Sequence, residues 1–244
     1  MDSDDLLLPN PVDRPVMTQY WADVVFLHWR YDPADVQRLL PPGVEVDVHD
    51  GSAWVALVPF RMERLGLPGL APLPFVGSVP EVNVRTYVRS GPRRGVWFFS
   101  LDIDKIRPPV VARTGYRLPY CYGRADHLRV GGVIATRVDR RWPRTPHDVT
   151  AEIVVRTGEP LTADDTARFL TDRWGLIAAA GRRRRLRYAP VDHPTWPLHH
   201  AELEHLDERL VTATGLPAPD GAPHVMWSPG VPVRVGLPSV IPSA

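Results

Sequence analysis

The stretch that decides the fold is residues 81–104, which read EVNVRTYVRSGPRRGVWFFSLDID. Over Glu81–Arg89 polar and β-branched residues alternate, which predicts a strand with two chemically different faces. Gly91 and Pro92 interrupt the pattern and predict a turn. Val96–Asp104 is again rich in apolar and aromatic residues and predicts the returning strand of a hairpin.

The register of this hairpin follows from keeping its apolar residues on one face. If a four-residue loop pairs Ser90 with Gly95, Trp97 and Leu101 join the apolar face, whereas a one-residue slip would move them to the polar face. In that register Arg85 lies opposite Ser100, and Asn83 lies opposite Asp102. The sequence therefore predicts a polar stripe made of Glu81, Asn83, Arg85, Tyr87, Ser100 and Asp102.

The rest of the chain is dominated by short predicted strands. Prolines number 28, about twice the usual ~5%, as is typical of strands and turns rather than long helices. Strands are predicted at 17–31, 44–48, 53–60, 126–130, 133–138, 149–156, 174–180, 186–190, 224–228 and 231–235, and an apolar loop at 64–80. Helices are predicted to start at Asp32, to span 162–171 with Thr162 as cap, and to span 202–214. This pattern favours a mostly-β (α+β) barrel or curled sheet with helices on its outside.

Length and charge narrow the class of protein. The 244 residues carry a net charge of +1 and a single cysteine, Cys121. A near-neutral chain is not expected to bind nucleic acid, and a lone cysteine excludes an internal disulfide framework. The acidic N-terminus resembles neither a signal peptide nor a membrane anchor, so we expect a cytoplasmic chain without membrane association, folded as a single domain over 1–244.

Motifs for common cofactors and metals are missing. The sequence contains no GxxxxGK[ST], GxGxxG, HExxH, CxxC or GxSxG motif, so we expect neither a cofactor nor a metal. His199, His200 and His205 match no common zinc spacing, and a polar helix edge explains them better. The arginine run at 182–185 is better explained as a solvated turn than as a phosphate site.

Several motifs resemble a known family. They are VVFLHW at 24–29, LLPPGVEVDVHDGSAWVALVPF at 39–60, PEVNVRTYV at 80–88, WFFSLD at 97–102, AR at 112–113, LPY at 118–120 and HPTWPL at 193–198. In this order they resemble the YqjF-like family of uncharacterised proteins, over about 17–237. That family belongs to the acetoacetate-decarboxylase-like superfamily, so the resemblance implies a closed, mostly antiparallel β barrel or cone with short helices outside. A homodimer is an expectation from the superfamily alone.

The resemblance also points to a missing amine. Decarboxylases of the superfamily carry GREXXGFPKK, whose first lysine forms a Schiff base with a keto substrate. Residues 112–121, ARTGYRLPYC, resemble this motif at Arg113 and Pro119, but Tyr120 and Cys121 stand at the two lysine positions. Lys105 is the only lysine of the chain and lies outside the motif. Arginine holds its proton too tightly to replace a catalytic lysine.

The polar stripe is the best candidate site. One reading is that it simply faces solvent, as one face of many antiparallel sheets does. The resemblance favours a cavity instead, because a glutamate near this strand position lines the cavity of the decarboxylases. We therefore expect Glu81, Asn83, Arg85 and Asp102 to line a concave pocket.

Each group of the predicted site has an expected role. Arg85 and Arg113 would hold a carboxylate or enolate, with Asp102 orienting Arg85. A desolvated Glu81 would shuttle protons, and Tyr87, Tyr116 and Tyr120 would donate to an oxyanion. His28 and His193 are candidate proton carriers, although both also fit packed core histidines. Trp196 fits the core better than a ligand contact, and Ser100 and Asn83 complete the set of predicted ligand-binding residues.

Two hypotheses of function are open on these residues. The first is a lyase- or isomerase-type enzyme that acts on a keto or enolisable acid without an imine. The second is a protein that binds a small ligand in the same barrel and does no chemistry, because a fold can keep its pocket and change its use. The sequence does not decide between them.

Overall fold

The computed structural model describes residues 12–71, 77–104, 118–145, 147–180 and 185–242. In these ranges most of the chain is β-strand, which confirms the mostly-β prediction. The strands are β1 Pro15–Tyr31, β2 Glu45–Val46, β3 Ala53–Gly66, β4 Val79–Ser90, β5 Arg93–Asp104, β6 Tyr120–Val130, β7 Val133–Trp142, β8 Thr150–Pro160, β9 Gly175–Ala180, β10 Arg185–Asp192, β11 His199–Glu208, β12 His224–Gly236 and β13 Ser239–Val240. The helices are α1 Pro33–Gln37 and α2 Asp165–Thr171, with a 3-10 turn at Thr212–Thr214.

The strands close into two rings that share one wall. Neighbouring strands β12, β1, β3, β4 and β5 form this shared wall. Through β9 and β10 the wall closes into a seven-strand ring, and through β6, β7, β8 and β11 it closes into a nine-strand ring. Most pairs are antiparallel, and β5 pairs in parallel with β6 and β9. The barrel predicted from the family resemblance is therefore confirmed.

The shared wall has an apolar interior on each side. Phe26 and Ala56 face the core of the seven-strand ring, together with residues of β9 and β10. Their chain neighbours Leu27 and Leu57 face the core of the nine-strand ring. Because side chains alternate along a strand, one wall supplies both cores, and neither of its faces meets solvent. Glu81, Asn83 and Arg85 of β4 are consequently enclosed.

Several predicted elements agree with the structure. The strand predicted at 17–31 is β1, and the Asp32 carboxylate caps α1 by accepting a hydrogen bond from the Ala34 N–H at 2.8 Å. The predicted hairpin at 126–138 is β6 and β7, which turn at Gly131-Gly132. The strands predicted at 174–180 and 186–190 are the antiparallel pair β9 and β10.

The helix predicted over 202–214 is wrong, because most of this segment is strand β11. Leu203 and Leu206 are three residues apart, which is a helical spacing. In the structure, a β-bulge lies between Leu203 and His205 in the pairing with β8. The extra residue puts Leu206 on the same face as Leu203, since a bulge shifts the alternation by one position. A bulged strand therefore carries the same apolar spacing as a helix.

Two local predictions also differ. Helix α2 is capped by Asp164 rather than Thr162, with the Asp164 carboxylate accepting from the Ala167 N–H at 2.7 Å. The turn between β4 and β5 is two residues long, since Ser90 pairs with Arg93 rather than with Gly95. A second irregularity between Val84 and Arg85 shifts the register again, so Asn83 lies opposite Leu101. The predicted register of this hairpin is wrong.

Within the described ranges, no helix is long and apolar enough to span a membrane.

Candidate functional site

A cavity lies inside the seven-strand ring. The cavity has a volume of ≈ 90 Å³, counted as the space that the centre of a water molecule can occupy. One water molecule needs on the order of 10–15 Å³ by the same measure. Most of its lining is apolar and comes from the strands of the ring. The charged and polar side chains that reach it are Gln19, Glu81, Arg85, Tyr120, Thr171, Arg173 and His193. The cavity is therefore large enough for a small organic molecule and carries a few polar groups that could orient it.

Glu81 is a buried acid at the cavity wall. It lies on β4 with 4% of its surface exposed. Burial raises the pKa of Glu81 to about 8, a hydrogen bond from the Asn83 side chain opposes this rise, and the charge of Asp102 adds to it. The desolvation of a carboxylate outweighs the single hydrogen bond. Near neutral pH the side chain is therefore mainly a neutral acid, able to donate a proton.

Arg85 brings a buried positive charge to the same wall. Its exposure is 8%, and its guanidinium lies 5.7 Å from the ring centre of Phe26 and 5.8 Å from that of Tyr87. No salt bridge to Arg85 exists among the described residues, and its Nε has no hydrogen-bond partner there. A buried charge is normally paired. The cavity thus offers a binding position for an anion.

Arg173 is a second buried cation of the cavity, and the sequence reasoning missed it. It follows α2, and it donates from NH1 to Asp47 Oδ2 at 2.7 Å and from Nε to the Phe169 carbonyl at 2.8 Å. Its NH2 has no partner within the described part of the chain. In the sequence it is one of many arginines and lies at the edge of a predicted strand, so no local signal distinguishes it.

Tyr120, at the start of β6, completes the polar end of the cavity. Burial, and then the nearby charge of Glu81, raise the pKa of Tyr120 well above its usual value. Its hydroxyl therefore keeps its proton and can donate a hydrogen bond. Tyr120 occupies the position that the family resemblance assigns to the Schiff-base lysine, and this position does face the cavity.

His193 and Trp196 line the cavity from the segment between β10 and β11. The ring nitrogens of His193 face two carbonyl oxygens, that of Pro194 at 2.8 Å and that of Arg173 at 3.2 Å. Burial lowers the pKa of His193. The Trp196 Nε1–H donates to the Thr171 carbonyl at 3.1 Å. Both side chains are thus held by the backbone, and both also touch the cavity.

His28, Asn83 and Tyr87 are buried but are not part of the cavity lining. Tyr87 donates its hydroxyl proton to the Leu170 carbonyl at 2.7 Å, and His28 Nε2 lies 2.7 Å from the same hydroxyl oxygen. Burial lowers the pKa of His28 well below its usual value, so its ring is neutral. His28 and Tyr87 thus connect β1 and β4 to α2.

Ser100 and Asp102 lie on the opposite face of the sheet. Because the true hairpin register pairs Ser100 with Val84 and Asp102 with Val82, both polar side chains turn away from the cavity. There the Asp102 carboxylate accepts two hydrogen bonds of 2.6 Å from Arg140, and Ser100 accepts one of 3.1 Å. The structure therefore does not bring Ser100 and Asp102 together with Glu81 and Arg85.

The predicted site residues Arg113 and Tyr116 lie outside the described residues, as does Lys105. Their roles stay predictions. Across the described ranges, no group of three or more His, Cys, Asp or Glu side chains is arranged to hold a metal ion.

Sequence comparisons place the chain among uncharacterised proteins. Residues 18–232 match the model of the DUF2071 family, which is described as "Uncharacterized conserved protein". The chain is 32% identical over 211 residues to "Uncharacterized protein YqjF" of Bacillus subtilis (strain 168), and the alignment covers 85% of each chain.

Solved structures with the same fold are acetoacetate-decarboxylase-like. The acetoacetate decarboxylase of Legionella pneumophila superposes with a TM-score of 0.66 at 14% identity, covering 96% of this chain and 90% of that one. An acetoacetate-decarboxylase-like enzyme from Sphingomonas wittichii RW1 gives 0.64 at 14% identity, covering 94% of both. The enduracididine biosynthesis enzyme MppR, complexed with pyruvate, gives 0.61 at 16% identity, covering 93% and 90%. At these identities the likeness shows the fold alone.

Proposed function

The chain belongs to the DUF2071 family, and from this premise we propose that the cavity of its seven-strand ring binds a small carboxylic acid. The proposal is compatible with the structural neighbours, one of which was solved with pyruvate, a small keto acid. The observation that carries it belongs to this chain, however, and is the buried guanidinium of Arg85, which forms no salt bridge with any described residue.

A bound carboxylate would supply the partner that the described residues do not give to the Arg85 guanidinium. Arg85 and Arg173 both line the cavity, and no described carboxylate forms a salt bridge with Arg85. Guanidinium groups bind carboxylates through parallel, charge-assisted hydrogen bonds. Asp47 already pairs with Arg173, so among the described residues the uncompensated charge is that of Arg85, and a monoanion is the ligand that balances it.

Glu81 and Tyr120 supply the chemistry expected of an enzyme on such a ligand. Glu81 has a pKa of about 8, so near neutral pH it can give a proton to a carbon or oxygen and take it back. Tyr120 keeps its proton and can donate to a developing enolate oxygen. With a tyrosine at the amine position, the reaction that fits these groups is enolisation, hydration or dehydration of a keto or enolisable acid without an imine.

The alternative is a binding protein that holds the acid and does not transform it. The same observation, an anion position at Arg85, supports it equally. The enzyme and the binding protein differ in whether Glu81 moves a proton of the ligand. Exchange of the hydrogens next to the keto group for deuterium, followed by NMR, measures that step directly.

The test of binding is calorimetry of the purified chain with a panel of small keto acids. We expect Arg85→Met to abolish measurable affinity, while Arg137→Met, a surface arginine with 72% of its side chain exposed, leaves it unchanged. Arg85→Met should fold, because the change removes a buried charge that is costly to bury and keeps a long, unbranched side chain. Equal affinity of the two variants would overturn the proposal.

The test of catalysis uses the same chain with Glu81→Gln. If the protein is an enzyme of the proposed class, bound keto acid exchanges its neighbouring hydrogens faster than in buffer, and the variant loses this acceleration while still binding. If the wild-type chain binds the acid without accelerating exchange, the binding-protein alternative stands.

A further inference from the structure

Next to the anion position, the wall of the cavity is built from aromatic rings. Phe60 on β3 lies directly opposite Glu81 on β4, so the two side chains are neighbours on the same face. The Trp21 ring centre is 5.5 Å from that of Phe60, and the Trp196 ring centre is 6.1 Å from that of Trp21, with their planes within 17°. We call Trp21, Phe60 and Trp196 the aromatic wall; all three line the cavity.

The indole N–H groups of this wall are already used. Trp21 Nε1 donates to Gln19 Oε1 at 2.9 Å, and Trp196 Nε1 donates to the Thr171 carbonyl at 3.1 Å. These hydrogen bonds hold both rings in place and leave no indole donor for a ligand. The wall therefore presents ring faces and edges only, which suit another aromatic ring and do not suit a carboxylate.

The aromatic wall begins close to the guanidinium. The Arg85 guanidinium is 5.7 Å from the ring centre of Phe26, and Phe26 meets Trp196 edge-on at 5.2 Å. Arg85 and Trp196 are therefore both neighbours of Phe26, and both line the cavity. A ligand whose carboxylate binds Arg85 would then have the ring faces of Phe60 and Trp196 beside the rest of the molecule.

Resting on the carboxylate-binding function proposed above, we propose that the ligand is an aromatic acid. Its carboxylate pairs with Arg85, and a single aromatic ring packs against Trp21, Phe60 and Trp196. The short chain between them, which carries the keto or enolisable carbon, lies beside Glu81 and Tyr120. A two- or three-carbon acid would leave the aromatic wall without a contact.

The experiment compares three probes by calorimetry with the unmodified chain: phenylpyruvate, 4-methyl-2-oxopentanoate and pyruvate. All three are keto acids with one carboxylate, and they differ in the group that would meet the wall. We expect phenylpyruvate to bind about 3- to 10-fold more tightly than the branched aliphatic acid, in keeping with the worth of an aromatic contact beyond its area. Pyruvate should bind more weakly than both.

The outcomes separate this inference from the function on which it rests. Equal affinities for the aromatic and aliphatic acids, both lost in Arg85→Met, would overturn the aromatic assignment and leave carboxylate binding intact. Binding of no acid would overturn both.

A pair of variants locates the ring. Trp21→Leu should remove most of the preference for phenylpyruvate over 4-methyl-2-oxopentanoate while keeping affinity for the latter. The matched control is Trp142→Leu, because Trp142 is 57% exposed on β7 and lies outside the cavity. A preference unchanged in Trp21→Leu would contradict the placement. Should that variant fail to fold, the ranking of the probes by the unmodified chain decides the assignment.

Discussion

The Tyr87 hydroxyl oxygen lies 2.7 Å from Nε2 of His28. Tyr87 gives its one proton to the Leu170 carbonyl, so at its oxygen it can only accept from the histidine. His28 must therefore carry its proton on Nε2, and it stays neutral because burial and the positive charge of Arg85 lower its pKa. The pair links β1 and β4 to the C-terminal end of α2, behind the polar end of the cavity.

Tyr87→Phe should destabilise the protein by about 2–5 kcal/mol. The change leaves two buried groups, the His28 N–H and the Leu170 carbonyl, without a partner, and each orphaned group costs about 1–3 kcal/mol. Urea unfolding at pH 7 measures the difference. Tyr31→Phe is the control, since its partly buried hydroxyl donates to one carbonyl, that of Pro217, and should cost about 1 kcal/mol. A loss no greater than that of the control would contradict this role of Tyr87.

Glu81→Gln should change how stability depends on pH. The pKa of Glu81 is raised from 4.5 to about 8 in the folded chain. Between these values the folded state holds a proton that the unfolded state has lost, so the free energy of unfolding falls as pH rises and levels off above about pH 8. The slope from this one proton is at most about 1.4 kcal/mol per pH unit.

The measurement is urea unfolding of the wild type and of Glu81→Gln at intervals from pH 5 to 9. Histidines contribute equally to both chains, so their difference isolates Glu81. We expect the wild type to lose stability relative to the variant up to about pH 8. Glu152→Gln, at a half-exposed surface position, should show no such trend. A constant difference between wild type and Glu81→Gln would mean that Glu81 is ionised in the folded protein.

Asp102→Ala should cost about 3–5 kcal/mol, because it leaves the buried Arg140 guanidinium without its partner. The side chains of this pair are 2% and 4% exposed. The double variant Asp102→Leu, Arg140→Met should regain most of the loss, since it leaves no unpaired charge. Thermal unfolding ranks the three chains. The double variant should keep its affinity for keto acids. A loss of affinity in this variant would show that Asp102 contributes to the binding site.

No imine should form with keto acids. Imine formation needs a neutral amine, and at the position that aligns with the decarboxylases' lysine this chain has Tyr120, which lines the cavity. Borohydride reduction in the presence of phenylpyruvate or pyruvate, followed by intact-mass analysis, should give no adduct. An adduct that disappears in Lys105→Ala would show that the sole lysine is catalytic.

Much of the strand prediction followed from local patterns of polar and apolar residues in the sequence. The alternation over Glu81–Arg89 predicted a strand with a polar face, and that face is buried, with Glu81 and Arg85 reaching the cavity. The absence of lysine at Tyr120 was likewise readable without a structure. Such features depend on residues close together in the chain, whose side chains alternate whatever the partner strand is.

Two predictions that depended on how particular strands pair failed. The helix at 202–214 and the register of β4 with β5 were both wrong because of irregularities in pairing. A bulge costs little and leaves no fixed residue signature, yet it moves every later side chain to the other face. That one shift separated Ser100 and Asp102 from Glu81 and Arg85.

The sequence by itself determined that this chain is a β protein of the DUF2071 family. It also showed an acidic and a basic side chain on one strand, and a single lysine, Lys105, outside the motif that resembles the decarboxylases. Only the tertiary structure decided that the strands close into two rings with a shared wall. It also brought Arg173 to the cavity, more than eighty residues along the chain from Arg85. The physical reason is burial, because strands distant in sequence enclose these groups together. This enclosure raises the pKa of Glu81 and leaves the charge of Arg85 without a partner among the described residues.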